Sequence, residues 1–122
     1  MGAIFDKLKD YGADVDGALE RFIDDKEFYE ECVQMFMDEP GFAALGEAIE
    51  GKDYKEAFNH AHTLKGVAGN LGLTPMLNDI CTIVEALRAE DYSNLADQYA
   101  DVTTALDTVK GLVAQSAEPK KE

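Results

Sequence analysis

Residues 60–72 of this chain read HAHTLKGVAGNLG, a run in which apolar residues recur at helical spacing around two glycines. Each glycine in the interior of a helix costs about 1 kcal/mol relative to alanine, and Gly66 and Gly69 both fall in that interior. Helix stability alone therefore does not explain this stretch. The space that the two glycines leave must serve another purpose.

A helical projection of the run separates two faces. At about 100° per residue, the face within about 40° of His62 holds Phe58, Gly66 and Gly69. Lys65 lies about 60° from His62 on the same projection. The opposite face is the apolar stripe that a half-buried helix requires, formed by Ala57, Leu64, Ala68 and Leu71. We therefore expect His62 to point away from the core, with bare backbone and a cation beside it.

The residues around His62 suit phosphoryl chemistry. An outward imidazole has an unperturbed pKa of about 6.5 and so offers a neutral, nucleophilic nitrogen near neutral pH. Lys65, one turn further on, can pair with phosphoryl oxygens as a compact positive charge. Gly66 lets a partner or a phosphoryl group approach the ring. The pattern predicts a phosphoryl-accepting histidine at His62.

The run HTLKG at residues 62–66, followed by GNLG at residues 69–72, resembles the histidine-containing phosphotransfer (HPt) domain family. The resemblance implies that His62 exchanges a phosphoryl group with an aspartate of a response-regulator receiver domain. The resemblance also implies that Lys65 and Gly66 support the transfer. It further implies that the partners are receiver domains and hybrid histidine kinases. A carboxylate or amide on the adjacent helix often orients the ring in this family. Glu85 is the nearest candidate here, although its spacing from His62 is one residue longer than usual.

The surface around His62 contains further candidate contacts. Phe58 lies one turn before His62 on the same face, where its ring either is covered by a neighbouring helix or helps to dock a receiver domain. Asn59, Gly69 and Asn70 are expected to line the same partner-binding surface.

The rest of the chain predicts an all-α fold, since no sustained alternation of polar and apolar residues indicates a strand. Helical patterns cover residues 24–50 with an interruption at Pro40, then 53–72, 74–89 and 95–114. Helices joined by short loops favour an antiparallel four-helix bundle, placed at residues 25–115. Residues 1–24 are expected to form a short additional N-terminal helical segment that packs on the bundle, and residues 116–122 a disordered polar tail.

Several helix ends and apolar stripes can be assigned from sequence. Asp24, Asp53 and Thr74 are the expected N-caps, and Gly72 the expected C-cap. The stripe of the first bundle helix is expected at Phe28, Cys32, Met35 and Phe36, and that of the segment before it at Val15, Leu19, Phe22 and Ile23. The surplus of large side chains at Met35, Phe36, Met37 and Phe42 has two interpretations, core packing or an apolar docking patch.

Composition excludes several classes of partner. The 122 residues include 25 acidic and 11 basic side chains, for a net charge of −14, which argues against nucleic acid and against an anionic membrane surface. No signal peptide or membrane-spanning run is apparent, so the expected compartment is the cytoplasm and the default state a monomer. Cys32 and Cys81 have no metal-ligand spacing and are expected to be buried small hydrophobes.

Metal, cofactor and kinase motifs are missing from the sequence. His60 lies about 160° from His62 on the projection, so the two cannot share a metal ion. No glycine-rich ATP-binding loop occurs, which predicts a phosphocarrier without kinase activity of its own and without a cofactor. Two alternatives stay open. The chain is a domain of a larger chemotaxis-type kinase phosphorylated directly by an ATP-binding module, or it is a non-catalytic helical adaptor.

Overall fold

A computed structural model of the chain describes residues 2–116, and within that range it contains seven α-helices and no strand. The helices are α1 (Gly2–Tyr11), α2 (Val15–Arg21), α3 (Lys26–Met37), α4 (Gly41–Glu50), α5 (Tyr54–Leu71), α6 (Thr74–Arg88) and α7 (Leu95–Ser116). The prediction of an all-α fold is confirmed. The predicted polar tail lies outside the described residues, except for Ser116, where α7 ends.

The helices form a bundle around α5. This helix packs against α4 on one side and α6 on the other, and α7 closes the bundle by packing against α6 and α4. Because α5 and α6 are joined by only two residues, they run antiparallel, and Phe58 near the start of α5 lies beside Arg88 at the end of α6. The helical bundle is therefore the one that the short loops predict.

Helices α3 and α4 together form one broken element of the bundle. Both pack against α5 and α7, so they follow each other along the same side of the core. The interruption falls where the sequence predicts it, with α3 ending at Met37 and α4 starting at Gly41 after Pro40 as its N-cap. Proline has no N–H to donate and cannot continue the preceding helix.

The predicted apolar register of α3 is wrong by one residue. Its buried side chains are Tyr29, Val33, Phe36 and Met37. Phe28 and Met35, which were expected in the stripe, are 52% and 72% exposed. The N-cap also shifts by one position, because the side chain of Asp25, and not Asp24, accepts the hydrogen bond from the Phe28 N–H.

Of the four large side chains around the break between α3 and α4, three lie in the core and one lies on the surface. Phe36, Met37 and Phe42 are buried, which fits the core-packing interpretation, and the rings of Phe36 and Phe42 lie 5.0 Å apart. Met35 is exposed. The docking-patch interpretation therefore applies to one residue of the four at most.

The ends of α5 are fixed by two signals that the sequence carries. Asp53 caps the start of the helix by accepting a hydrogen bond of 3.2 Å from the Glu56 N–H. Gly72 ends it in the left-handed conformation, with φ of 71°. A side chain at Gly72 would overlap the carbonyl oxygen of Asp14, so glycine is required there for space as well as for conformation. Thr74 is not the cap of α6, because the helix already includes it and Leu73 takes the cap position.

Residues from the N-terminal segment and α3 satisfy the last carbonyls of α5 and its cap, at residues 69–72. The guanidinium of Arg21 donates to the carbonyls of Gly69 and Asn70, with its Nη2 atom 2.9 Å from the Gly69 oxygen and 3.1 Å from the Asn70 oxygen. The Tyr29 hydroxyl donates to the Leu71 carbonyl at 2.7 Å, and the backbone N–H of Asp14 donates to the Gly72 carbonyl at 2.7 Å. The carbonyls of residues 69 and 72 also accept backbone N–H groups, from Gly72 and Thr74 respectively, whereas the last carbonyls of a helix have no intrahelical donor in general. The N-terminal segment therefore fixes the end of the helix that carries His62.

Two further expectations concern membrane-spanning helices and the burial of the two cysteines. No helix among residues 2–116 is long and apolar enough to cross a membrane. Cys32 and Cys81 are free thiols, but both are only partly buried, against the expectation of full burial. Partial burial is still enough to raise the pKa of the Cys32 thiol above its ordinary value, chiefly by desolvation and secondarily through the nearby charge of Glu31.

Candidate functional site

Helix α5 places His62 on the solvent side of the bundle. Its buried side chains are Ala57, Ala61, Leu64, Ala68 and Leu71, which include the whole predicted stripe. His62, Asn59, Gly66 and Asn70 are exposed, whereas Phe58, Lys65 and Gly69 are half-buried at the edge of the same face. The structure thus brings together the residues that the helical projection grouped around His62.

A shallow groove of about 340 Å³ lies beside the imidazole. It is lined by His62, Lys65, Gly66, Gly69, Asn70 and Leu77. Leu77 supplies the wall that belongs to α6. Leu77 is only half-buried and faces the groove. The available signal in the sequence was that Leu77 directly follows Met76, which already belongs to the buried face of α6.

The two glycines of the groove are not required by packing within the chain. A Cβ added at Gly66 would meet no atom within 4 Å, and one added at Gly69 would meet only the methyl groups of Leu77 at 4.0 Å. Both positions would therefore accept alanine, which is the better helix former. The space above them opens to solvent, where a partner or a phosphoryl group can approach His62.

An aromatic ring and a second cation continue the site toward the start of α5. The rings of Phe58 and His62 have their centroids 5.8 Å apart with an angle of 33° between their planes. The guanidinium carbon of Arg88 lies 5.4 Å from the centroid of the Phe58 ring, in the geometry of a cation–π contact. Phe58 is thus covered on one side by α6 and open on the other. Sequence reasoning missed Arg88, because a cation on an exposed face carries no periodic signal.

Glu85 lies on α6 and interacts with Arg88. Its Oε2 atom is 3.7 Å from the Arg88 Nε atom, and its side chain is 66% exposed. Among the described residues His62 forms no hydrogen bond or ion pair with Glu85. The structure therefore places this carboxylate on the neighbouring helix, engaged with a cation of the site.

The electrostatics of the site differ from those of the whole chain. In a protein with a net charge of −14, one cation, Lys65, lines the His62 groove, and another, Arg88, contacts the Phe58 ring beside it. Lys65 forms no ion pair with any residue in the range 2–116, so its charge is available to an incoming anion. A phosphoryl group on His62 would lie beside a free cation, in a fold that would otherwise repel it.

The two histidines have separate environments, as expected. His60 is half-buried, and its Nε2 atom lies 3.7 Å from the Glu56 Oε1 atom one turn earlier. No group of three or more histidine, cysteine, aspartate or glutamate residues in the described part of the chain could hold a metal ion.

The sequence model of the Hpt domain matches residues 27–115. The chain belongs to the Hpt domain family. No curated protein and no solved structure gives a match to the chain. The match starts within α3 and includes α4, α5, α6 and nearly all of α7, so His62 and its groove lie inside the Hpt domain, and α1 and α2 precede it. Hpt domains are phosphocarriers, not kinases. They carry phosphoryl groups in two-component signalling, where their partners are receiver domains and histidine kinases.

Proposed function

We propose that this Hpt domain is a phosphorelay carrier that accepts a phosphoryl group on His62 from the aspartate of one receiver domain and donates it to another. The observation that supports this most is the open groove at His62, which brings together an exposed imidazole, a lysine without an ion pair among residues 2–116, and two glycines that packing does not require. None of these features is needed by the fold. Together they leave one nucleophile accessible to a partner's loop.

The transfer step needs few groups from the carrier. A neutral ring nitrogen of His62 attacks the phosphorus of the phosphoaspartate, and an N–P bond forms as the bond between phosphorus and the aspartate oxygen breaks. The electron pair of the broken bond stays on the aspartate as its carboxylate charge. Donation to a second receiver is the reverse of this step. The attacking nitrogen, the phosphorus and the aspartate oxygen must lie in line. Docking has to supply that geometry, because the carrier contributes only the nucleophile and a local charge.

Lys65 is proposed to balance the charge of the transferring group. Positioned charges stabilise such a group without bonding to it, and their effect grows where water is excluded at an interface. Phe58 would provide an apolar surface next to the reacting ring, with Asn59, Gly69 and Asn70 as further contacts. Large apolar side chains near the centre of an interface tend to dominate its binding energy.

Glu85 remains the proposed orienting group for the His62 ring. Its ion pair with Arg88 suggests an exchange in which Arg88 turns to the phosphoryl group and frees the carboxylate. Glu85→Gln, which keeps the size of the side chain, is expected to slow transfer if the carboxylate orients the ring. Equal transfer rates for this variant and the wild type would show that Glu85 does not orient the His62 ring.

The function is tested by intact-mass measurement and peptide mapping after incubation with phosphorylated receiver domains. Wild type and His60→Gln are expected to gain one acid-labile phosphoryl group, and His62→Gln none. His60→Gln is the matched control, because it removes an imidazole from the same helix on another face. If only an ATP-dependent kinase module loads His62, the chain acts as a kinase domain's substrate. If nothing loads it, the adaptor alternative gains.

A further inference from the structure

Arg21 lies at the end of α2 and forms hydrogen bonds with the backbone of the groove itself. Its Nη2 atom donates to the Gly69 carbonyl at 2.9 Å and to the Asn70 carbonyl at 3.1 Å. Its Nε atom donates to the Asn70 carbonyl at 3.2 Å. Gly69 and Asn70 both line the groove beside His62. Arg21 therefore acts on the backbone of one wall of that groove.

The packing of α2 brings Arg21 to this wall. The Asp14 carbonyl and the Cβ atom of Ala18 are among the nearest atoms to the position that a Cβ at Gly72 would take. Arg21 follows Ala18 by three residues and so lies on the same side of α2. The helix ends at Arg21, and Ile23, which the sequence pattern predicts in the apolar stripe of this segment, is 88% exposed, so that prediction is wrong. The contacts that seat α2 on the cap of α5 thus also direct Arg21 to the last turn of α5.

The last turns of α5 need this support because two of their residues are glycines. Glycine is the poorest helix former after proline, and both Gly66 and Gly69 fall here. The Asn70 carbonyl also lacks a helical donor, since α5 ends at Leu71. A cation at this end of a helix interacts favourably with the helix dipole. Arg21 supplies both the missing donors and the positive charge.

Movement of the last turn would extend toward His62 through the hydrogen bonds of the helix. In an α-helix, the N–H of each residue pairs with the carbonyl four residues earlier. A last turn that loosens at residues 69 and 70 would therefore also loosen Lys65 and Gly66, which lie one turn from His62. Both residues line the groove, and Lys65 is its cation. The shape of the groove thus depends on how firmly its far end is held.

We infer that Arg21 is a positioning residue for phosphoryl transfer, because its hydrogen bonds keep the groove wall at residues 69 and 70 in place beside the phosphoryl group on His62. This inference rests on the proposed function. Arg21 precedes residues 27–115, which match the Hpt model, so the N-terminal segment adds this support to the family's domain. The segment then contributes to the reaction as well as to the fold.

Arg21→Met tests this role, since methionine keeps a long side chain and removes every donor. Transfer is measured by rapid quench from isolated receiver domains of the host, phosphorylated with acetyl phosphate, over a range of receiver concentrations. The maximal rate should fall about 10- to 100-fold, because a misplacement of about 1 Å can cost about a hundredfold in rate. The receiver concentration for half-maximal rate should change much less. Arg21→Lys keeps the charge without the fork of donors and should recover only part of the maximal rate.

Two control variants separate positioning from charge and from stability. Lys9→Met removes one positive charge from the same N-terminal segment, where the exposed Lys9 side chain pairs with Asp16. Tyr29→Phe removes the donor to the next carbonyl of α5, that of Leu71, whose side chain lies in the core. Both variants should transfer at the wild-type maximal rate, although Tyr29→Phe should be less stable.

Hydrogen exchange gives a second readout that does not depend on a receiver. The backbone amides of residues 67–73 should exchange faster in Arg21→Met than in the wild type and in Lys9→Met, because the last turn opens more often. Equal exchange in the three proteins would mean that the wall does not depend on Arg21 and would overturn the inference.

The transfer measurements can overturn the inference in distinguishable ways. A wild-type maximal rate in Arg21→Met contradicts it and leaves the role of His62 intact. Equal slowing in Lys9→Met, or a wild-type rate in Arg21→Lys, assigns the effect to charge, and equal slowing in Tyr29→Phe assigns it to stability. A change confined to the half-maximal concentration makes Arg21 a contact of the receiver. A wild type that accepts no phosphoryl group from any receiver contradicts the proposed function, and the inference fails with it.

Discussion

The hydroxyl of Tyr29 donates a hydrogen bond of 2.7 Å to the carbonyl oxygen of Leu71, across 42 positions of sequence. Tyr29 is fully buried, and Leu71 is the last residue of the helix that carries His62. The bond thus ties the face that α3 buries to the end of α5. It also explains why Tyr29, and not its neighbour Phe28, points into the core.

Tyr29→Phe should lower the free energy of unfolding by about 1–3 kcal/mol, because the variant leaves a buried carbonyl without a partner. Urea unfolding followed by circular dichroism measures this difference. Tyr92→Phe is the control, since Tyr92 is 37% exposed and stacks on Tyr54 through its ring. Equal stability of Tyr29→Phe and the wild type would mean that water replaces the hydroxyl at Leu71.

The raised pKa of Tyr29 predicts that the protein loses stability at alkaline pH. Burial, opposed by the charge of Arg21 and aided by that of Asp14, raises the pKa of Tyr29 from its ordinary 10.0 to about 12. The folded state therefore favours the neutral phenol, and its contribution is complete below pH 10 and lost as the pH rises toward 12. Wild type should lose more stability than Tyr29→Phe over this interval. Parallel losses in the two proteins would contradict the assignment.

The sequence predicts α5 well because one periodicity dominates it. Its apolar side chains fall on a single stripe, and the caps Asp53 and Gly72 mark its ends with local hydrogen bonds and a left-handed glycine. Both kinds of signal act within a few residues of the chain. They determine the direction of His62 without any knowledge of the other helices.

Helix α3 and the second cation could not be predicted in the same way. Large apolar side chains occupy two faces of α3, and the choice between Phe28 and Tyr29 depends on a carbonyl 42 residues away. Arg88 reaches Phe58 only because α5 and α6 are antiparallel in one particular register. Tertiary contacts of this kind are not encoded in the periodicity of either helix alone.

Gly66→Ala is expected to raise stability and impair function together. Alanine gains up to about 1 kcal/mol over glycine in a helix interior, and the added Cβ meets nothing within 4 Å. The same methyl group would stand in the groove beside His62, so transfer from a phosphorylated receiver should slow about tenfold or more. Gly111→Ala is the matched control, since Gly111 lies inside α7 and its Cβ also meets nothing within 4 Å.

Both alanine variants should therefore melt at higher temperature, and only Gly66→Ala should transfer slowly. Transfer at the wild-type rate by Gly66→Ala would show that the partner does not approach over this glycine. A fall in stability would instead mean that the helix is distorted at this point.

Asp79→Asn should stabilise the protein at neutral pH. Burial, and secondarily the charge of Asp101, raises the pKa of the Asp79 carboxyl above its ordinary value. A raised pKa means that folding favours the protonated acid, so the contribution of Asp79 is present at low pH and is lost as the pH rises through the folded pKa. The variant should unfold at a higher temperature than the wild type at pH 7, with a difference that shrinks toward pH 3. Asp107→Asn, which removes one carboxylate from an exposed position of α7, is the control for the change in net charge.

Lys65→Ala should slow phosphoryl transfer about 10- to 100-fold without abolishing it. A hydrogen bond to a charged group contributes about 1.5–3 kcal/mol, which corresponds to that range of rates, whereas the nucleophile His62 remains. Lys110→Ala changes the net charge equally, from an exposed position on α7, and should transfer at the wild-type rate. Rapid-quench measurement at saturating receiver separates the effect on transfer from any effect on docking. Equal slowing in both variants would mean that the total charge of the protein matters, and that the position of Lys65 beside the groove does not.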